Sequence, residues 1–151
     1  HPVGQALKDA VYKDLGQLLG DQEFKLFHVF VNDEKAAKTL IAKMKETRDW
    51  TQLEPKTLWG NEVKFSLSRT DWINLSAVLA EFRQTVRAMK KGDITAEPIK
   101  VKDGWHVVGL VDARTFKLPP PERIEKEILR LAERKIIEQQ LQTLLQAKTK
   151  Q

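Results

Sequence analysis

Apolar residues between Val3 and Leu19 fall at Ala6, Leu7, Ala10, Val11, Leu15, Leu18 and Leu19, a helical spacing that leaves one wet face. Gly20-Asp21 ends that element. The run FKLFHVFV, Phe24 to Val31, is dense in β-branched and aromatic side chains and short enough to be a buried strand. Asn32-Asp33 then supplies a helix cap, after which Ala36, Ala37, Leu40, Ile41 and Met44 trace one helical face. Residues Thr51 to Ser68 hold Pro55 and Gly60 and sustain no period, so loop with one short extended piece is expected there. Leu75 to Gly92 predicts a helix with Leu79, Phe82, Val86 and Met89 as apolar positions. Lys90 and Lys91 suit its negative dipole end, and Gly92 suits a left-handed stop.

The stretch PIKVKDGWHVVGL, Pro98 to Leu110, reads as a β-hairpin. A two-residue primed turn at Asp103-Gly104 would pair Lys102 with Trp105 and set Val101 opposite His106. Alternation then places Ile99, Val101, His106, Val108 and Leu110 on one face, with Lys100 and Lys102 on the other. By the same rule His28 shares its face with Leu26 and Phe30. Two of the three histidines therefore point with aliphatic side chains. Alternation alone favours two separate core imidazoles, each bonded to backbone.

Beyond Arg114 the chain changes character. Pro119, Pro120 and Pro121 make a stiff extended linker that ends at a helix start. Ile124, Ile128, Leu131, Ile137, Leu141, Leu144 and Leu145 then form an apolar seam, interrupted near Arg134 to Ile136. Such a helix, ~40 Å long, overshoots a small domain and its seam needs a partner. The Val3 to Leu19 helix is the nearest candidate within the chain; a second copy of the protein is the other.

Composition narrows the chemistry. At 151 residues the chain can build one domain with a real core and an appended element, but hardly two full domains. A charged fraction of 31% beside 41% hydrophobic residues fits a soluble globular chain. The formal charge of +5 favours acidic partners in general. The lysines are interleaved with Asp and Glu on helical faces rather than gathered into a strip with exposed aromatics, so no nucleic-acid partner is expected. Cysteine is absent, which excludes disulfides, thiolate nucleophiles and Cys-ligated zinc. The histidines show no ligand spacing, so neither metal nor cofactor is expected. No apolar run approaches the ~20 residues of a membrane helix, and membrane insertion is not expected. No signal sequence opens the chain, and the His1-Pro2 start reads as a trimmed end.

A strand with a central histidine, an amphipathic helix, the string AEFRQTVRAMKKGDIT and the hairpin PIKVKDGWHVV together resemble parvulin-type peptidyl-prolyl isomerases. Phe82, Lys90, Gly92, Asp93, Ile94, Thr95, Pro98, Gly104, Trp105 and His106 match that family's hallmark in order, and Trp50 stands where a phenylalanine usually follows the first helix. The likeness runs from about Phe24 to Arg114. A leading helix, this core and a Pro-rich junction into a long helix are similar to the SurA and PpiC-type extracytoplasmic foldases.

The resemblance implies an α+β fold: a parvulin-like antiparallel sheet with surrounding helices, plus N-terminal and long C-terminal amphipathic helices. Expected boundaries are 1–21 for a leading helix of a chaperone-like module, 22–115 for the parvulin-like domain, and 116–151 for the junction and last helix. It implies that His28 and His106 meet in one network as catalytic-site imidazoles, and that Phe82 and Val78 line a cup for the proline ring, Val78 in place of a methionine. Asp71 is the acid close to the expected place, a solvated loop or cap aspartate being the alternative. The family's hydroxyl before the second histidine falls at Val101 and is missing. The implied partners are unfolded or proline-containing polypeptides in a periplasmic or extracytoplasmic compartment, with a homodimer through the terminal helices as a further possibility. Two functions follow: a prolyl isomerase of modest activity, or a catalytically degenerate scaffold that binds peptides or dimerises.

Overall fold

The computed structural model describes residues 3–149, so the His1-Pro2 start lies outside the described residues. Two compact units result, one formed by residues 3–21 with 117–149 and the other by Gln22–Phe116.

In the first unit, helix α1 (Gln5–Leu19) ends at Gly20, whose φ of 74° is the left-handed stop that glycine adopts without strain. After the prolines a short 3-10 turn, Pro121–Ile124, leads into helix α5 (Glu125–Thr149). The two helices share a small core of Val11, Ile128 and Ala132, flanked by Leu7, Tyr12, Ile124 and Leu131. The Tyr12 hydroxyl donates to the Pro119 carbonyl at 2.8 Å and ties the linker to α1. Ile124, Ile128 and Leu131 of the predicted seam are covered in this way. Farther along, Ile137, Leu141, Leu144 and Leu145 stay 55–65% exposed.

The second unit is built on an antiparallel sheet. Its strands are β1 (Gln22–Val31), β2 (Phe65–Arg69), β3 (Ile73–Asn74), β4 (Ile99–Val101) and β5 (Gly104–Thr115). The order is β2-β1-β5-β4, and β3 pairs with the start of β1. Helix α2 (Glu34–Thr47) covers one face, opened by the Asp33 carboxylate, which accepts from the Ala36 amide at 2.8 Å. Phe27, Val29 and Val31 pack there with Ala37, Leu40, Met44, Trp50 and Val107. Gly109 admits that packing, because a Cβ at this position would collide with the Trp50 ring and the Met44 methyl. On the opposite face Phe24, Leu26, Val108 and Leu110 pack with Val78, Phe82 and Val86.

Three expectations are corrected. The Thr51 to Ser68 stretch holds, besides the extended piece that is β2, a four-residue helix α3 (Lys56–Trp59). One turn is too short to show a period, and tertiary contact supports it: the Trp59 indole donates to the Ala36 carbonyl at 3.1 Å.

The predicted Leu75 to Gly92 helix breaks into two 3-10 turns, Leu75–Ala77 and Ala80–Phe82, and a six-residue helix α4 (Arg83–Ala88). Side chains compete with the helical ladder here. Asn74 accepts from the Ser76 amide, and Arg83 donates to backbone carbonyls of the preceding turns. Gly92 does take a left-handed φ of 90°, but in a turn beyond the helix, where its amide donates to the Leu110 carbonyl at 2.8 Å.

The hairpin register is also displaced. Val101 pairs with Gly104, Lys100 with Trp105 and Ile99 with His106, so Lys102-Asp103 are the turn residues. Neither takes a positive φ, so the turn is not of the primed kind. Gly104 is needed for another reason: a Cβ there would lie 2.5 Å from the Val31 carbonyl oxygen and 2.8 Å from the Phe30 ring. The slide moves each pairing by two positions, which preserves the predicted faces.

Candidate functional site

His28 lies in the middle of β1 and His106 near the start of β5, on the two central strands of the sheet. Their register pairs His28 with Val108 and Phe30 with His106, so the imidazoles are diagonal neighbours on one face. They meet. His28 Nε2 and His106 Nδ1 are 2.7 Å apart, and the ring centroids are separated by 4.8 Å. In the neutral pair one nitrogen donates and the other accepts, so each ring supplies what the other lacks.

Apolar rings complete the cluster. The Phe82 centroid lies 4.8 Å from that of His28 and 5.1 Å from that of His106, and Phe30 stands 4.9 Å from His106. Val78 joins Phe82 in the cluster on this face. His106 is only 6% exposed, Phe82 3% and Val78 2%. Burial, reinforced by the positive charge that His106 would carry, pushes the His28 pKa down to about 4. Burial also lowers that of His106. Both rings are therefore neutral at physiological pH.

Asp71 is placed elsewhere. Its side chain is 89% exposed, faces Lys25 at 3.8 Å and accepts from the Trp72 amide, with no hydrogen bond or ion pair to either imidazole. The carboxylate whose charge both histidines feel is that of Glu81, which acts against the effect of burial on each. Sequence reasoning gave Glu81 no role. Its adjacency to Phe82 was the available signal. Phe30 was assigned to the right face without a role; its alternation with His28 was the clue. At Val101 the family's hydroxyl is absent, and the buried Thr95 hydroxyl accepts from the Val108 amide at 3.3 Å instead of joining the imidazoles.

A paired set of strand-borne imidazoles beneath a phenylalanine, in an antiparallel sheet, is the arrangement the hallmark residues imply. Residues 64–112 match the family model described as Rotamase, the PPIC-type PPIASE domain. Those residues are similar to a parvulin-type domain.

Over 133 residues the chain is 27% identical to a Bordetella pertussis protein named "Probable parvulin-type peptidyl-prolyl cis-trans isomerase", covering 85% of this chain and 50% of that one. Over 85 residues it is 31% identical to "Chaperone SurA" of Pseudoalteromonas translucida, covering 56% of this chain and 17% of that protein. The chain thus spans about half the length of the curated Bordetella relative. Among solved structures, the peptidylprolyl isomerase PrsA from Bacillus cereus superposes with a TM-score of 0.52 at 22% identity, over 88% of this chain and 52% of that one. That likeness extends the parvulin assignment to the fold.

Proposed function

We propose that this parvulin-type domain is a peptidyl-prolyl cis-trans isomerase that acts on X-Pro bonds of unfolded client proteins in an extracytoplasmic compartment. The observation that carries the reading is the His28–His106 pair, 2.7 Å apart with the Phe82 ring packed at a tilt against both imidazoles. Rotation about an X-Pro amide faces a barrier of ~18–20 kcal/mol because resonance must be interrupted, and no covalent bond need form. The protein's task is to hold the twisted amide better than the planar one. Phe82 and Val78 supply apolar walls for the pyrrolidine ring, and the imidazole pair below keeps Phe82 in place with no unsatisfied polar atom. Burial holds both imidazoles neutral, and the Glu81 charge opposes it only in part. Asp71 is given no role in catalysis.

Because Phe82 and Val78 are almost fully covered, a proline ring must displace part of that cover on binding, which predicts modest turnover. A proline-peptide isomerisation assay tests the reading. A rate above the solvent baseline is expected, with Phe82→Ala lowering kcat/KM by about tenfold or more. A parent chain that adds nothing to the solvent rate would reject it.

The exposed seam of α5 favours a second reading, in which the scaffold holds unfolded segments or pairs with a second copy through the terminal helices. That reading predicts suppressed aggregation of an unfolded client, retained in Phe82→Ala and lost when Leu141, Leu144 and Leu145 are made polar. A client that aggregates equally with and without the chain would remove it.

A further inference from the structure

Val78 and Phe82 lie four residues apart, the spacing at which a helix would put them on one face. They do share one cluster, yet no helix puts them there. Val78 has a ψ of 132° and Leu79 a ψ of 139°, both extended, and a 3-10 turn over Ala80–Phe82 follows. Local backbone bonds close each turn separately, the Val78 amide donating to the Leu75 carbonyl and the Phe82 amide to the Leu79 carbonyl, and none of those described joins the two turns.

Arg83 provides the missing connection. Its Nε donates to the Leu75 carbonyl at 3.1 Å and to the Val78 carbonyl at 3.2 Å, and its Nη2 donates to the Val78 carbonyl at 2.8 Å. The half-buried guanidinium thereby spans the first 3-10 turn and the residue after it, from the first position of α4. Among the described ion pairs Arg83 has no carboxylate partner, so these carbonyls are its recorded contacts. A planar, rigid fork fits the two carbonyls at the ends of one turn, whereas an ammonium offers one point of charge. We infer that Arg83 is a positioning residue for the proposed isomerase: it clamps the irregular 75–82 segment so that Val78 and Phe82 form one proline cup over the imidazole pair. The inference rests on the isomerase reading for its kinetic consequence, and on the backbone alone for its structural one.

The experiment uses the full chain with Arg83→Gln and Arg83→Lys, and Arg87→Gln as a control on the exposed side of α4. Hydrogen–deuterium exchange is measured at the amides of residues 76–82 and, for comparison, of β1 and β5. Isomerisation of a proline peptide is followed for kcat and KM separately. Arg83→Gln should speed exchange in the 76–82 segment by about tenfold while β1 and β5 keep their protection. It should raise KM by a similar factor, with kcat falling less. Arg83→Lys should lie between, and Arg87→Gln should match the parent chain. If Arg83→Gln unfolds globally, Arg83→Lys carries the same comparison. Unchanged exchange at 76–82 would overturn the clamp, as would faster exchange with kcat and KM both at parent values. An inactive parent chain would reject the isomerase reading alone, and the exchange result would then decide the clamp.

Discussion

The two faces of the sheet in the Gln22–Phe116 unit are covered by different means. One lies under α2, a fourteen-residue helix whose Ala37, Leu40, Ile41 and Met44 repeat at helical spacing and whose backbone bonds are nearly all internal. The other lies under residues 75–88, two 3-10 turns and six residues of helix held by Asn74 and Arg83. Regular cover derives its shape from the backbone and can be altered only by changing the whole core. Irregular cover derives its shape from a few side-chain bonds, so it can carry a cup and a polar pair in places a continuous helix would not reach. The candidate site is on the irregular face.

Four substitutions or conditions separate the two kinds of cover. Leu40→Ala, at a fully buried position on α2, should cost about 3 kcal/mol in urea unfolding through lost burial and the cavity left behind. A cost below about 1 kcal/mol would mean that α2 is a loose cover after all. Lowering the pH acts on the other face. The folded chain keeps His28 neutral down to about pH 4, while the unfolded chain takes up that proton near pH 6.5. The native state therefore binds fewer protons across this window, so stability falls as the pH drops from about 6.5 to 4 and levels off below. Allowing for the partial exposure of His28, the loss is about 2 kcal/mol. Denaturation midpoints at a series of pH values measure it, and His28→Phe should flatten most of the slope. A parent profile without slope in that window would contradict a neutral buried pair.

Capping gives a smaller and more local contrast. Asp33→Ala removes the acceptor of the Ala36 amide and should cost about 1 kcal/mol of global stability. Asn74→Ala, which frees the Ser76 amide, should act chiefly as faster exchange in residues 75–82. Equal global costs would erase the distinction between the faces. The smallest effect is expected in the other unit. Leu141→Ser on the 55% exposed part of α5 should change monomer stability by less than about 0.5 kcal/mol. A larger loss, or one that varies with protein concentration, would show that this seam is covered in solution.

How far the sequence discloses the fold follows the same division. α1, α2 and the faces of β5 are legible because each repeats its period, and β1 because its β-branched and aromatic side chains are dense. The diagonal meeting of His28 and His106 is not in the periodicity; it needs the β1–β5 register, which only the hallmark residues suggest in advance. Leu75 to Gly92 misleads because its apolar spacing is helical while Asn74 and Arg83 favour another backbone. A motif scan likewise assigns Gly104 to a turn, although the glycine is needed where β5 passes close to the Val31 carbonyl. The placing of the two acids escapes composition and motif alike. Glu81 lies next to Phe82 in the irregular segment, whereas Asp71 precedes β3 and faces Lys25.

Scalar coupling across the hydrogen bond between the two imidazoles tests the central claim most directly, measured by nitrogen-15 NMR on histidine-labelled chain at neutral pH. A coupling between His28 Nε2 and His106 Nδ1 that persists well below pH 6.5 is predicted, since the rings are 2.7 Å apart and His28 resists protonation to about pH 4. Two uncoupled rings that each titrate near 6.5 would contradict it.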